Sequence, residues 1–524
     1  MKKLSLLFLI LFVVPEFAQS TTPPPVPQRP NFVFILVDDL GRTDIGVDGS
    51  TFYETPNIDK LANSGMRFTD GYATCQVCSP SRASLMTGKY TPRHDITNYI
   101  GAASGLNWKR NDRILPPEYA RNLPHEDTTI AEAMKSAGYK TFFAGKWHLG
   151  TKGSYPEDHG FDVNKGGYDP GTPPGGFFAP FKNPKLKDKQ PGESLTLRLA
   201  KETCDFIEDN AGEPFFAYLA FYAVHCPIQT TEKLWSKYQK KATKAGLVDK
   251  RFIFDRNMAV RQVQDNPIYG GMMETLDDAV GMVTDKLKKL GLDKNTVVIF
   301  TSDNGGVSSG DNFATSLLPY RGGKGRQWEG GIRVPFYISA PGITKPGSVS
   351  STPVIATDFY PTILELAGLP LNNAQHKDGK SLMPLLTGGK IAKRDLFWHY
   401  PHYGNQGGEP SAVIRSGNYK LIRYYEDNRS ELYDLSRDIG EQSDITKANP
   451  RRTTRLRAKL DKWLIQTGAS IPVKDKRFDP GKKKIQRENA RTKWMQRQED
   501  RAKQILKPDF KARRNWWGSQ PPKD

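Results

Sequence analysis

Cysteine is scarce in this chain: four among 524 residues, at positions 75, 78, 204 and 226. So few cannot form the disulfide framework that staples a small exported domain. If one is consumed by chemistry, at most one intramolecular pair remains, and the sequence does not identify it. Long apolar runs are also missing. The most apolar stretch, Leu4 to Val14, falls well short of the roughly 20 residues a membrane-spanning helix needs. No later segment is longer, and there are no internal repeats. No second Cys/His pair stands at a spacing that would complete a zinc site with Cys75 and Cys78.

What the N-terminus does hold is a secretory pattern. Lys2 and Lys3 precede the apolar stretch, and Ala18-Gln19-Ser20 supplies small residues for cleavage, so residues 1–20 read as a signal peptide. No cysteine follows that cleavage site, which argues against a lipid anchor. The mature protein is expected to be exported, periplasmic or secreted in a bacterium. A Pro-rich linker, "TTPPPVPQRP" (21–30), follows.

The net charge is +19, and its distribution is uneven. Residues 474–524 hold 17 Lys/Arg against 7 Asp/Glu. Such an excess favours an anionic partner: nucleic acid, a membrane surface or an acidic polysaccharide. Acids interleave with the bases in "KKKIQRENARTKWMQRQEDRAK", and export makes nucleic acid an odd partner. The tail reads as a peripheral exposed helix or a disordered segment.

Between these ends, the fold class is expected to be α/β. "NFVFILVDDLG" has an unbroken apolar run, as in a central strand buried on both faces of a parallel sheet. Helix-then-strand patterns recur. A helix at Thr129 to Ala137 precedes a strand at Lys140 to Ala144. The apolar strand in "PFFAYLAFYAVHCP" ends at His225, and a long helix precedes the strand Thr296 to Thr301. Each strand delivers polar residues at its C-terminal edge, where open α/β sheets bind ligands. The large, mostly parallel mixed sheet with flanking helices is expected to fill 31–385. A smaller α+β subdomain (386–473) is expected to hold an antiparallel meander and a helix at Thr453 to Gln466. The basic tail (474–524) follows it.

The chemistry concentrates around "TCQVCSPSRASLMTG" (74–88). A thioredoxin-like Cys-x-x-Cys has no use for the Ser-Pro-Ser-Arg that follows. Cys78-Ser79-Pro80-Ser81-Arg82 with trailing Thr87-Gly88 resembles the signature of the type I sulfatases, members of the alkaline phosphatase superfamily. "DFYPTILELAGL" and "LYDLSRDIGEQSDI" also resemble sulfatase segments, and the likeness spans roughly 30–470. The resemblance implies an alkaline-phosphatase-like fold and a sulfuric ester hydrolase. In that family a maturation enzyme converts the cysteine to Cα-formylglycine, whose hydrate is the nucleophile. One hydroxyl attacks sulfur, giving a sulfo-enzyme, and the other expels sulfate as the carbonyl re-forms. Serine or cysteine lacks that second hydroxyl. Cys75 is then a bystander.

Alone, "VDDLG" reads as a helix cap and "SDNGG" as a tight turn. Beside Cys78, the two resemble the family's metal motifs. The resemblance implies Ca²⁺ held by Asp38, Asp39, Asp303, Asn304 and the oxygen derived from Cys78. Hard cations prefer oxygen donors, and no other Cys or His belongs to the set. Arg82 lies one helical turn from Cys78. It matches the family residue that holds the hydrated aldehyde. Lys146 and His148 in "GKWHLG", His225 in "VHCP" and Lys324 in "RGGKGRQWEGG" match its sulfate-binding and proton-transfer positions. His148 would assist the nucleophilic hydroxyl. His225 or Lys324 would protonate the leaving alkoxide, which a sugar sulfate requires.

For the substrate, "FWHYPHYGNQGGEPSAVIR" (397–415) offers His399, His402 and Asn405 as contacts to sugar hydroxyls. "KGGYDPGTPPGGFFAPF" (165–181) is a second candidate rim loop. A basic exported enzyme suits a sulfated polysaccharide or its oligosaccharides. The alternatives are a phosphomonoester or phosphonate hydrolase using the same aldehyde, and a non-catalytic polyanion-binding protein. Alkaline phosphatase itself is disfavoured, because it uses Ser or Thr and several zinc-binding histidines.

Overall fold

The protein's computed structural model describes residues 29–246 and 248–511. The signal peptide, all of the linker but its last two residues, and the end of the tail lie outside them. Phe32 to Val37 sits in strand β1 (Asn31–Val37), buried at every position. It lies inside an eight-stranded sheet with β2 (Met66–Phe68), β3 (Lys140–Gly145), β4 (Val163–Lys165), β5 (Phe215–Ala220), β6 (Thr296–Ser302), β7 (Phe336–Ser339) and β8 (Ser348–Ser350). The order across the sheet is β8-β2-β7-β6-β1-β5-β3-β4. Strands β6, β1, β5, β3 and β4 run parallel, whereas β7 is antiparallel to both its neighbours. The ends of β1, β3, β5 and β6 therefore open onto one edge.

Alternation along β1 divides the core. Val33, Ile35 and Val37 join one apolar cluster, and Phe32, Phe34 and Leu36 another. Six of the flanking helices, in chain order, are α1 (Cys78–Thr87), α2 (Ile130–Ser136), α3 (Leu195–Asp209), α4 (Glu232–Ala245), α5 (Pro267–Lys289) and α6 (Phe359–Leu366). Helices α3, α4 and α5 cover the first face, and α1, α2 and α6 cover the second. Thr129 lies just outside α2 as its cap: its hydroxyl accepts from Glu132 N at 3.1 Å, while Glu132 accepts from Thr129 N at 2.6 Å. Such a reciprocal cap satisfies two otherwise orphaned donors.

The meander follows as β9 (Asp395–Tyr400), β10 (Ser411–Ser416), β11 (Tyr419–Tyr424) and β12 (Ser430–Asp434), all antiparallel. Helix α7 (Pro450–Gln466) lays Leu456, Leu460, Trp463 and Leu464 on it. Tyr72, Trp328 and Ile332 of the large domain enter the same cluster, so the subdomain shares a core with its neighbour. A buried ion network reinforces the seam. Lys420 Nζ lies 3.1 Å from Glu329 and 2.8 Å from Glu441, all three fully enclosed.

Residues 474–511 form a mostly exposed helical segment, the first of the two forms the sequence suggests, and it is held against the domain. The strand Val473–Lys474 pairs with Ile114–Leu115. Helices α8 (Pro480–Asn489) and α9 (Met495–Ile505), joined by a π-helical turn, then cross the surface. Trp235 Nε1 donates to Ile505 O at 3.1 Å, and Gln239 Nε2 to Leu506 O at 2.8 Å. Glu499 accepts from the backbone N–H groups of Arg251 and Phe252 at 2.7 and 2.9 Å. Ala502, Ile505 and Leu506 are buried. These three apolar residues dock a segment whose composition is otherwise that of a solvated tail.

Ala502 packs on Phe252 and Ala259. Ala502→Asp would bury a carboxylate among them, at a cost of about 2 kcal/mol or more. Limited trypsin digestion is expected to cut this variant between residues 480 and 505 while the rest of the domain resists; an intact tail would contradict the docking.

Candidate active site

Four strand ends and one helix build the site. Val77, extended and with no side-chain hydrogen bond, caps α1, so Cys78 occupies the first helical position. The positive end of the helix thus lies at Cys78, a kind of position that favours negative charge. Arg82 follows one turn on. Its Nε donates to Asp303 Oδ2 at 2.8 Å and its Nη1 to Lys146 O at 2.6 Å. One guanidinium thus ties α1 to the ends of β6 and β3.

Asp38 and Asp39 leave the end of β1. Lys146 Nζ reaches Asp38 Oδ2 at 2.6 Å, and Lys324 Nζ reaches Asp39 Oδ2 at 2.8 Å. Asn304 Nδ2 donates to Asp39 Oδ1 at 2.9 Å, and Asp39 N donates to Asp303 Oδ1 at 3.3 Å. All six side chains are almost wholly buried. Burial would raise the Asp38 carboxyl, but the charges of Lys146, His225, Arg82 and Lys324 outweigh it and hold the group well below the carboxylate range. Asp303 moves the other way, to about 6, because burial and the Asp38 charge outweigh Arg82 and Lys146. Asp39 and His148 both adopt left-handed backbone, φ 62° and 56°. Non-glycine residues seldom sit there, and local strain of this kind gathers at functional sites.

The two histidines are held in different states. His148 Nε2 lies 2.9 Å from Ile100 O. A carbonyl can only accept, so Nε2 carries the proton and Nδ1 is a bare acceptor. That Nδ1 is buried and has no partner. Burial and the nearby Lys146 charge push this imidazole well below its ordinary pKa and keep it neutral. His225 donates from Nδ1 to Cys226 O at 2.6 Å and turns Nε2 toward Asp39 Oδ2, 3.6 Å away. Burial and Lys324 lower its pKa, but Asp39 and Asp38 raise it more, favouring the protonated ring.

Cys78, His148, His225 and Lys324 open on a cavity of about 270 Å³, together with Tyr99, Ile100, Gly171, Thr172, Asp311, Asn405 and Gln406. Among the described residues, the ligating atoms of Asp38, Asp39, Cys78 and His225 lie within 4.8 Å of one another. Asp303 and Asn304 adjoin that group through Asp39. Buried Asp38 Oδ1 and Asn304 Oδ1 have no hydrogen-bond partner, the former having only Arg82 Nη2 at 3.7 Å. Oxygen donors left open in this way fit a hard divalent cation.

Of the three sugar-contact candidates, only Asn405 reaches the cavity, donating to Tyr99 OH at 2.9 Å. His399 and His402 do not. His399 sits in β9 with both ring nitrogens engaged, by Ser470 O at 3.0 Å and Tyr425 OH at 2.8 Å. His402 is enclosed between Tyr119 and Tyr400 and bonds Thr97 Oγ1 at 3.0 Å. Their histidine- and aromatic-rich segment is packed core. Cys75 is likewise internal; burial raises its thiol to about 12. All four cysteines are free, so no disulfide forms.

The rim loop does line the cavity, through Gly171 and Thr172. Tyr99, Asp311 and Gln406 were not recognisable from sequence, since no motif marks them. Two glycine-rich loops also meet backbone to backbone. A Cβ on Gly408 would lie 1.6 Å from Gly325 O, so the meander's loop fits against the Lys324 loop only as glycine.

A parallel sheet that presents a nucleophile position, paired carboxylates and converging cations at one edge defines a hydrolase of anionic esters. The chain belongs to the sulfatase family, whose model matches residues 30–369, and is a sulfuric ester hydrolase. The model described as "N-sulphoglucosamine sulphohydrolase, C-terminal" matches 324–469. A sulfatase of Formosa agariphila is 33% identical over 550 residues, covering 90% of this chain and 96% of that protein. Mouse N-acetylgalactosamine-6-sulfatase is 32% identical over 435 residues, covering 79% and 75%. The crystal structure of Ps i-CgsB in complex with k-i-k-neocarrahexaose aligns with a TM-score of 0.68 at 28% identity, covering 83% of this chain and 93% of that one.

Gly171 lets the rim loop press on His148. A Cβ there would lie 2.3 Å from the imidazole Cε1. Gly171→Ala is expected to displace the ring and lower kcat by about tenfold or more, with the melting temperature little changed. Unaltered turnover would show that the ring's position is not critical.

Proposed function

We propose that this sulfatase removes sulfate from a sulfated polysaccharide or its oligosaccharides after export, with Cys78 converted to Cα-formylglycine by a maturation enzyme and with Ca²⁺ bound. The observation that carries the reading is that His148, neutral and with an unprotonated, unpartnered Nδ1, lines the same cavity as Cys78. An acceptor without a proton is what a hydroxyl nucleophile needs beside it. The aldehyde hydrate supplies two hydroxyls on one carbon, one to attack and one to release sulfate. Asp38, Asp39, Asp303 and Asn304 would hold Ca²⁺, which would supply positive charge at this edge of the sheet.

The remaining work falls to side chains already in position. Arg82 fixes Asp303 and the start of α1 in relation to each other. His148 Nδ1 takes the proton of the attacking hydroxyl while Nε2–H stays anchored to Ile100 O. Lys324 and His225, which line the cavity, would meet the sulfate and stabilise charge developing on its oxygens, with Lys146 enclosed behind them against Asp38. His225 or Lys324 returns a proton to the departing sugar oxygen, a step that aryl sulfates need far less.

The relatives' names support a carbohydrate substrate: an N-acetylgalactosamine-6-sulfatase and a structure bound to a neocarrahexaose. The basic surface and the N-terminal leader pattern agree with a polyanion met outside the cytoplasm. Among the described residues, no helix is long and apolar enough to cross a membrane.

In mass spectrometry, the tryptic peptide 68–82 from active enzyme is expected to be lighter than the encoded sequence by about 18 Da, the change from CH₂SH to CHO. Cys78→Ala should lower turnover at least about a thousandfold. Chelation with EGTA should lower it and added Ca²⁺ restore it. An unmodified peptide from fully active protein would sink the aldehyde, and indifference to EGTA the metal. Assays on 4-nitrophenyl sulfate, 4-nitrophenyl phosphate, and the disaccharides and hexasaccharides of ι-carrageenan and chondroitin 6-sulfate test the substrate class; preference for the phosphate would overturn it.

A further inference from the structure

A second cavity, of about 650 Å³, adjoins the first. It forms where α8, α9 and the turn between them cross the β-hairpin of Phe252–Asp255 and Met258–Arg261. Asp311 lines both cavities. It accepts from Gln406 Nε2 at 2.6 Å on the catalytic side, and its carboxylate lies 3.7 Å from Lys324 Nζ. Asp311 thus stands at the boundary the two cavities share.

The lining of this groove is selective. Met258, Phe313 and Trp494 give it an apolar wall, while Gln486, Arg497 and Arg501 are polar. Trp494 is 56% exposed, far more than the packing of its helix requires. The Arg497 guanidinium lies 5.5 Å from the Trp494 ring centroid. An aromatic face attracts the polarised C–H face of a sugar ring, and a guanidinium offers forked donors to an oxyanion. Charge around the groove favours a sulfated over a neutral glycan: residues 480–505 carry nine Lys/Arg against three acids.

We propose that the docked C-terminal helices form a distal subsite for the sugar residues adjoining the one being desulfated. Trp494 stacks on a pyranose there, and Arg497 and Arg501 bind a second sulfate group of the same chain. The inference rests on the saccharide reading of the catalytic site and deepens it. It makes the tail part of a substrate groove, and it makes the enzyme one that reads an extended chain as well as a single ester.

The test compares Trp494→Ala and Arg497→Gln with wild type on 4-nitrophenyl sulfate and on the sulfated hexasaccharides and disaccharides above. Both side chains are exposed, and melting temperatures check that folding is intact. For a hexasaccharide that wild type hydrolyses, KM is expected to rise about tenfold in each variant with kcat within twofold. Kinetics on 4-nitrophenyl sulfate should not change, and disaccharides should be affected less. Variants that match wild type on the hexasaccharide, or that lose both substrates equally, overturn the subsite and leave the catalytic reading intact. A wild-type enzyme that cleaves 4-nitrophenyl sulfate but no saccharide removes the saccharide reading and the subsite with it.

Discussion

Three buried carboxylates, Asp38, Asp39 and Asp303, face three buried cations, Arg82, Lys146 and Lys324, at the edge of one sheet. Everything else in the molecule makes that arrangement tolerable. Charges removed from water cost several kcal/mol each unless partners meet them in good geometry. The partners come from the ends of β1, β3 and β6, from α1 and from a glycine-rich loop, so the sheet must hold all of them in register at once. Parallel pairing of β1 with β5 and β6 does this, matching Leu36 with Ala220 and Val37 with Ser302.

Lys324 shows why the smaller subdomain belongs to the catalytic unit. Its loop has no regular structure of its own. Lys324 N donates to Gly306 O at 2.8 Å and Gly325 N to Gln76 O at 2.7 Å, linking it to the Asp303 and Cys78 segments. On its outer side it is backed by the loop around Gly408, and further along by Glu329, which pairs with Lys420 of β11. The meander thus positions the Lys324 loop, and its own loop adds Asn405 and Gln406 to the cavity wall.

Much of this was legible in the sequence where local chemistry speaks for itself. The apolar run before Asp38 gave the buried strand, the stretch Thr296 to Thr301 gave another, and the helix expected from Thr129 to Ala137 lies at Ile130–Ser136. The sulfatase signature led to the cluster that the structure brings together. The errors fell where composition misleads. His399 and His402 sat in a stretch rich in groups that bind sugars, yet strand alternation and aromatic packing turn them inward. The tail's 17 Lys/Arg against 7 Asp/Glu mark it as exposed, while strand pairing at Val473–Lys474, three apolar side chains and hydrogen bonds through Glu499, Ile505 and Leu506 dock it. Tyr99, Asp311 and Gln406 were invisible, because only the tertiary fold brings these loops to a common rim.

The cluster's connections also span very long stretches of chain. Arg82 bonds a partner 221 residues away, Asn304 one at 265, and Lys324 one at 285. Closing loops of that length costs conformational entropy before any contact rewards it. Until β6 and the loop after it exist, Asp38 and Asp39 have no complete set of counter-charges, and no shorter fragment can assemble the site. Strand β1 pairs with β6 across the same separation, so the apolar interior of the sheet and its charged edge wait on the same stretch of chain.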